Sequence, residues 1–344
     1  MPSSTAKVVI HESQFPETVR RDRLAVLRAR RVNPKFHYDS VQQTNEWLAL
    51  HQAYSPSRKN NDCAATYDRA FVAAITHVSS AKQVHVLGLG CGGGQKDTRL
   101  LKLLRADGKA VTYTPCDVAV AMTLVARQTA LSVVPAAKCL PLVCDLATAD
   151  DLPVVLAARG WPQSPRLITF LGMIPNFEPG EILSKLAALV RPEDTLLFSA
   201  NLAPGANYAT GVQKVLPQYD NALTRDWLMT LLLGLGVARD DGEIRFHIES
   251  GPADSGLKKI VARFYFTRPC RLATEDEVFV FGPGDDLQLF FSYRYTSALV
   301  RRALALGGLQ VESEWITAPE EEGVFLCRRA GRCVRKLSSY PAPP

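Results

Sequence analysis

Residues 84–101 read VHVLGLGCGGGQKDTRLL. An apolar run precedes five crowded glycines, and the leucines after them recur at helical spacing. This predicts a strand, a tight turn and an amphipathic helix. Glycine lets the backbone of such a turn approach a ligand closely, and the helix start offers free N–H groups. Nucleoside triphosphates, dinucleotides and S-adenosylmethionine all use turns of this kind. A triphosphate loop needs GxxxxGK[ST], but Gln95, Lys96 and Asp97 follow the glycines, so the hydroxyl that would hold magnesium is missing. A dinucleotide fingerprint, GxGxxG, fits Gly88, Gly90 and Gly93, yet a glycine-rich turn matches that pattern somewhere almost by default.

The flanking segments decide between the remaining ligands. AVTYTPCDV (110–118) predicts a second strand ending in Asp117, and KCLPLVCDL (138–146) a third ending in Asp145. PRLITFLGMI (165–174) predicts a fourth, running into Pro175 and Asn176, and DTLLFSANLA (194–203) a fifth. Helical patterns separate them, which predicts an α/β fold with a parallel, doubly wound sheet covered on both faces. Asp117 stands at the distance from the glycines that suits an acid accepting both ribose hydroxyls, with nothing basic beside it to suggest a phosphate. An acid after strand two, another after strand three and an amide after strand four favour S-adenosylmethionine.

Composition is that of a soluble globular protein: 344 residues, 47% hydrophobic, 22% charged, net charge +6. The basic cluster RRDRLAVLRARR (20–31) carries apolar residues at helical spacing, so a solvated helix face is expected rather than a nucleic-acid site. The start lacks the apolar core of a signal peptide, and WLMTLLLGLGV (227–237) is too short to span a bilayer. Eight cysteines without a CxxC pair and six scattered histidines predict free thiols in a reducing cytoplasm and no metal site. The expected organisation is a helical N-terminal region plus nucleotide-binding core over 1–203, an inserted α+β lid over 204–290, and a C-terminal return to the core over 291–344. The tail PAPP (341–344) is expected to fray.

Six blocks, in order, resemble one family: the histidine-specific N-α-methyltransferases of ergothioneine biosynthesis and their dimethylallyltryptophan-methylating relatives. NPKFHYDS (33–40) is similar to PPKWFYD, YSPSR (54–58) to YYPTR, and GLGCGGGQKDTRLL (88–101) to ELGSGTSEKTRLL. FLGMIPNFEP (170–179) resembles FLGSTIGNF, and QYDNAL (218–223) resembles AYDDA. SYRYTSALVRRALALGGL (292–309), followed by EWITAP, is similar to the family's closing helix and tryptophan-containing strand.

The resemblance implies a class I methyltransferase fold, S-adenosylmethionine as cofactor, and an amino-acid-like small molecule as acceptor, handled by a cytoplasmic monomer without nucleic acid or membrane. It implies that Gly88, Gly90, Gly92, Lys96, Asp117 and Asp145 hold the cofactor. Asn176 and Tyr38 would hold the acceptor's carboxylate and orient its amine, Tyr219 would sit by the amine, Tyr54 would line the side-chain pocket, and Ser292 would stand at its far side. One departure bears on the acceptor. Histidine-specific members carry a glutamate two residues before the serine, where this chain has Phe290, and a bulky methionine near the position of Ala262. A more apolar, roomier pocket implies an acceptor larger or more apolar than histidine, since only a hydrogen-bonding site rejects molecules that lack the imidazole. Two other classes stay open: transfer or cyclisation of the cofactor's aminocarboxypropyl chain, and cofactor binding without catalysis.

Overall fold

The computed structural model describes residues 5–54, 60–158, 164–274 and 276–331. Residues 55–58 of YSPSR, Cys333 and the PAPP tail lie outside the described residues.

Strands are numbered along the chain: β1 (Val9–Ile10), β2 (Gln83–Leu89), β3 (Ala110–Asp117), β4 (Leu142–Val143), β5 (Arg166–Leu171) and β6 (Thr195–Asn201). Then come β7 (Gly242–Ser250), β8 (Lys258–Phe266), β9 (Cys270–Ala273), β10 (Val278–Phe281), β11 (Asp286–Arg294), β12 (Leu309–Ile316) and β13 (Glu322–Arg329). The large sheet has the order β1-β4-β3-β2-β5-β6-β13-β12. It is parallel from β1 through β6 and closes with antiparallel β13 and β12. The expected doubly wound α/β fold is therefore present, and the C-terminal strands do complete its sheet. The third strand is shorter than 138–146 suggests, because Pro141 has no N–H to give its neighbour and regular pairing covers only Leu142–Val143. The two-residue β1, which pairs with β4, carries no periodicity and was not expected.

Strict alternation along the strands sends side chains to two separate cores. Val84, Val86, Leu167, Leu197, Val324 and Leu326 pack with helices Asn61–His77 and Gln95–Ala106. Leu87, Leu89, Ile168, Phe170, Phe198 and Phe325 pack on the opposite face with helices Pro179–Leu189 and Ser297–Leu306. Burial on both faces is why these strands read as unbroken apolar runs.

The second sheet is antiparallel, in the order β11-β8-β7. Its apolar face packs on helix Ala222–Gly234 through Trp227 and Leu228, and on N-terminal residues Leu27, Val32 and Phe36. Strand β11 runs without a break past Phe290 to Arg294, with a register shift between Gln288 and Phe290. The basic helix Pro16–Ala29 and its exit turn face carboxylates of the same chain: Arg20 meets Asp276, Arg28 meets Glu277, Arg30 meets Asp285 at 2.8 Å and Arg31 meets Glu178 at 2.5 Å. Among the described residues the seven cysteines are free, no His/Cys/Asp/Glu group suits a metal ion, and no helix is long and apolar enough to cross a membrane.

Candidate active site

The chain steps outward from β2 to β3 and β4, then returns to β5 on the other side, and such a reversal opens a crevice at the strands' carboxyl ends. A cavity of about 670 Å³ lies there, lined by Gly90–Gly93 after β2, Asp117 after β3, Asp145 after β4, Met173 after β5 and Asn201 at the end of β6.

Gly90, Gly92 and Gly94 have φ of 63°, 50° and 73°, in the left-handed region where a Cβ is strained. Two of them are also packing points. A Cβ on Gly90 would sit 2.4 Å from the Met173 thioether, and one on Gly94 would sit 2.7 Å from the Ala126 Cα. Gly88 differs from the expectation: it lies within β2 and is not among the residues that line the cavity. A Cβ there would stand 2.0 Å from Asp97 Oδ2. Asp97 is buried, and its carboxylate accepts the Tyr113 hydroxyl at 2.7 Å and the Thr169 hydroxyl at 2.7 Å. Burial pushes its pKa up, and those two hydroxyls partly offset the rise. Gly88 thus makes room for an acid on the following helix. Gly88→Ala should cost about 1–3 kcal/mol by driving Asp97 off its donors. Urea unfolding checks this, and the same change in an Asp97→Ala background should cost measurably less.

Asp117 accepts the Gly92 N–H at 3.0 Å on one oxygen and the Ala119 N–H at 3.2 Å on the other. Burial pushes its pKa up to about 6, and the amides of Gly92, Ala119 and Val118 limit the rise. Among the described residues no cation pairs with it, so a ribose diol suits its spare lone pairs better than a phosphate. Asp145 accepts the Ala147 N–H at 2.9 Å and the Lys35 ammonium at 3.0 Å. Lys35 is buried and also reaches Asp22 at 2.7 Å, which fastens the N-terminal helix to the cavity floor. Lys96 lines the cavity with its ammonium 2.6 Å from the Tyr67 oxygen and 3.5 Å from Glu322.

On the acceptor side the structure brings Tyr38 and Asn176 to the cavity wall and leaves Tyr54, Tyr219, Phe290 and Ser292 off it. Burial, then the Asp117 charge, push the Tyr38 phenol above its ordinary pKa, so it stays a donor. The Asn176 amide donates to the Phe291 carbonyl at 2.7 Å, which leaves its oxygen for another partner. Tyr54 ends helix Val41–Tyr54 and is 51% exposed. The others form a layer behind Tyr38. The Tyr38 ring lies 5.7 Å from Trp227, Trp227 lies 6.0 Å from Phe290, and Phe290 lies 6.0 Å from Tyr219. Tyr219 shares a 2.9 Å hydrogen bond with Ser292. Sequence reasoning did not single out Lys35, Asp97, Glu322 or Phe291, all of which line the cavity. Lys35 and Asp97 stand inside quoted motifs, but nothing in the motifs says that either is buried.

The residues present fit S-adenosylmethionine. They offer exposed turn backbone, an unpaired acid for the ribose, and apolar Met122 and Leu146 beside Asp145 for a base. No curated protein matches the chain. Among solved structures, the CcbJ methyltransferase from Streptomyces caelestis is 13% identical, with 87% of this chain and 100% of that one covered and a TM-score of 0.41. The mitomycin 7-O-methyltransferase MmcR is 15% identical over 92% and 70% of the two chains, with a TM-score of 0.38. CalO1, a methyltransferase in calicheamicin biosynthesis in its SAH-bound form, is 12% identical over 86% and 70%, with a TM-score of 0.36. A family profile described as histidine-specific, SAM-dependent methyltransferase matches residues 19–329. With nearly the whole chain inside that match, the protein belongs to this family of S-adenosylmethionine-dependent methyltransferases.

Proposed function

We propose that the chain methylates the α-amino group of an amino acid or amino-acid-derived metabolite whose side chain is larger or more apolar than that of histidine. The observation that carries this reading is the setting of Phe290. It is 8% exposed, lies between Tyr219 and Trp227, and pairs across the sheet with Ala262. Phe290 stands behind Tyr38 rather than on the cavity wall, and the aromatic layer it completes backs the acceptor side with apolar rings and gives an imidazole no carboxylate to bind. The reading treats the acceptor as a small molecule and the enzyme as a cytoplasmic monomer that acts without nucleic acid or membrane.

When bound, S-adenosylmethionine supplies an electrophilic methyl group on a sulfonium. The residues' part is placement: a lone pair held in line at about 3–3.5 Å can account for roughly 7–11 kcal/mol of the barrier. Tyr38 as donor and the Asn176 oxygen as acceptor can fix the two ends of an α-amino acid at the cavity wall. The attacking amine must be neutral, and removal from water favours that form over the ammonium, so its proton can leave to solvent as the acceptor is bound and no strong base need stand in the site. His37 is not that base. Burial lowers its pKa to about 4, and its Nε2 is spent on the Leu289 carbonyl at 2.7 Å.

Incubation with the cofactor and a panel of amino acids, read by mass, tests the reading. Products heavier by one methyl group should appear with apolar and aromatic amino acids, with histidine about tenfold or more poorer in kcat/KM. Phe290→Glu should narrow that gap. A clear preference for histidine would sink the side-chain assignment, and release of methylthioadenosine would replace methyl transfer with chain transfer or cyclisation. Binding without turnover would leave a cofactor-binding protein.

A further inference from the structure

Among the described residues four buried carboxylates line the cavity: Asp97, Asp117, Asp145 and Glu322. Asp97 is met by the Tyr113 and Thr169 hydroxyls, Asp145 by Lys35 and the Ala147 N–H, and Asp117 stands ready for the ribose. Glu322 has no such task, and its two oxygens are unequally served. Oε1 accepts the Tyr67 hydroxyl and faces the Lys96 ammonium at 3.5 Å. Oε2 has only the Cys63 thiol, at 3.3 Å, and a thiol is a weak donor. A buried carboxylate gains from a further cation, and the cavity is the side from which one can arrive.

The place of Glu322 in the fold says which cation. It opens β13 opposite Asn201, the cavity-lining end of β6. The Tyr67 hydroxyl also meets the Ser199 hydroxyl at 2.8 Å, and that oxygen accepts the N–H of cavity-lining Gly172, just after β5, at 2.8 Å. The acid therefore stands across the crevice from Asp117 and Asp145, which follow β3 and β4 on the other side of β2. Those two suit the nucleoside, so Glu322 faces the cofactor's other end, which is an amino acid. Lys96 stands beside it, in the first turn of the helix that follows the glycines. An ammonium and a carboxylate 3.5 Å apart complement, with the charges reversed, the carboxylate and ammonium that an amino acid carries on one carbon.

We propose that Glu322 binds the α-ammonium of the cofactor's methionine end, beside Lys96 on its carboxylate. This rests on the family's cofactor and not on the choice of acceptor. Calorimetric titration of the full-length protein compares S-adenosylhomocysteine with its desamino analogue, in which hydrogen replaces the α-ammonium. The wild type should bind the first roughly tenfold to a hundredfold tighter. Glu322→Gln should bring that ratio close to one, and Glu322→Asp should keep part of it. Affinity for methylthioadenosine, which lacks the amino acid end, should be unchanged in both and shows that each variant folds.

A wild type without preference for the ammonium, or a preference that survives intact in Glu322→Gln, disproves the assignment. Should Glu322→Gln not fold, the wild-type ratio and Glu322→Asp decide by the same criteria. The acceptor's own ammonium is the competing source. With S-adenosylhomocysteine bound, L-phenylalanine is titrated against 3-phenylpropanoate, which lacks the amine. If Glu322→Gln erases the difference between these two and leaves the cofactor ratio intact, the carboxylate serves the acceptor and the proposal falls.

Discussion

Asp117→Asn should lower cofactor affinity about a hundredfold or more, because two charge-assisted hydrogen bonds to the ribose become weaker or are lost. The same substitution should leave the cofactor-free protein no less stable at neutral pH. Both expectations follow from one fact: the carboxylate is buried without a cation, and its pKa is raised from 3.8 to about 6. The sign is fixed by linkage. A carboxyl that titrates higher folded than unfolded imposes no penalty below pH 3.8, a growing one as pH rises, and the whole of it above about pH 6. At pH 7 that penalty is roughly 3 kcal/mol. The asparagine escapes it but gives up one backbone hydrogen bond worth about 1 kcal/mol. Wild-type stability should therefore decline from this group between pH 4 and 7, and the variant should show a flatter profile. Calorimetric titration with S-adenosylhomocysteine and urea unfolding across that range measure the two effects. Undiminished binding by the variant would remove Asp117 from the ribose, and a large loss of stability would mean that the carboxylate supports the fold instead of burdening it.

What the chain showed before folding, and what it hid, follows from how local each feature is. Strands β2, β3, β5 and β6 were legible because burial on both faces leaves continuous apolar runs, and Asp117, Asp145 and Asn176 stood out because each is a polar residue at or soon after the end of an apolar run. Gly88 was misjudged for a local reason of another kind. It stands among turn glycines, but it answers to a carboxylate nine positions later in the sequence that folds back over it. On the acceptor side the motifs were recognisable but their facing was not. Phe290 and Ser292 share a strand with Phe291, and alternation after the register shift puts Phe291, which drew no notice, on the cavity wall. The partners of Glu322 come from segments far apart in sequence, and no spacing rule reaches across that separation.

Glu322 supplies the other large effect. It opens β13 at the edge of the cavity, is 7% exposed, accepts the Tyr67 hydroxyl, and has the Cys63 thiol at 3.3 Å. Burial pushes its pKa up, but Lys96 and the Tyr67 and Cys63 donors outweigh that and hold it below the usual range. The Lys96 ammonium lies 4.0 Å from the centre of the Tyr67 ring and 3.5 Å from the carboxylate. Lys96→Met removes the charge and leaves Glu322 buried without a counter-charge, a loss expected to cost roughly 3–5 kcal/mol. Glu322→Gln in the same chain should restore most of it, because the amide is neutral, its oxygen can still accept from Tyr67 and its N–H can turn to the Cys63 sulfur, and the pair should be strongly non-additive. The pH dependence separates this from a plain packing defect. A depressed carboxyl contributes stability above its unfolded value of 4.5 and loses it as pH falls through the lower folded value. Without Lys96 the carboxyl can take up a proton in the folded state, so the deficit of Lys96→Met should shrink as pH is brought from 7 to 4. Urea unfolding of the two single variants and the double at both pH values provides the test. A deficit independent of pH, or additive single effects, would return Lys96 to a role confined to the cofactor.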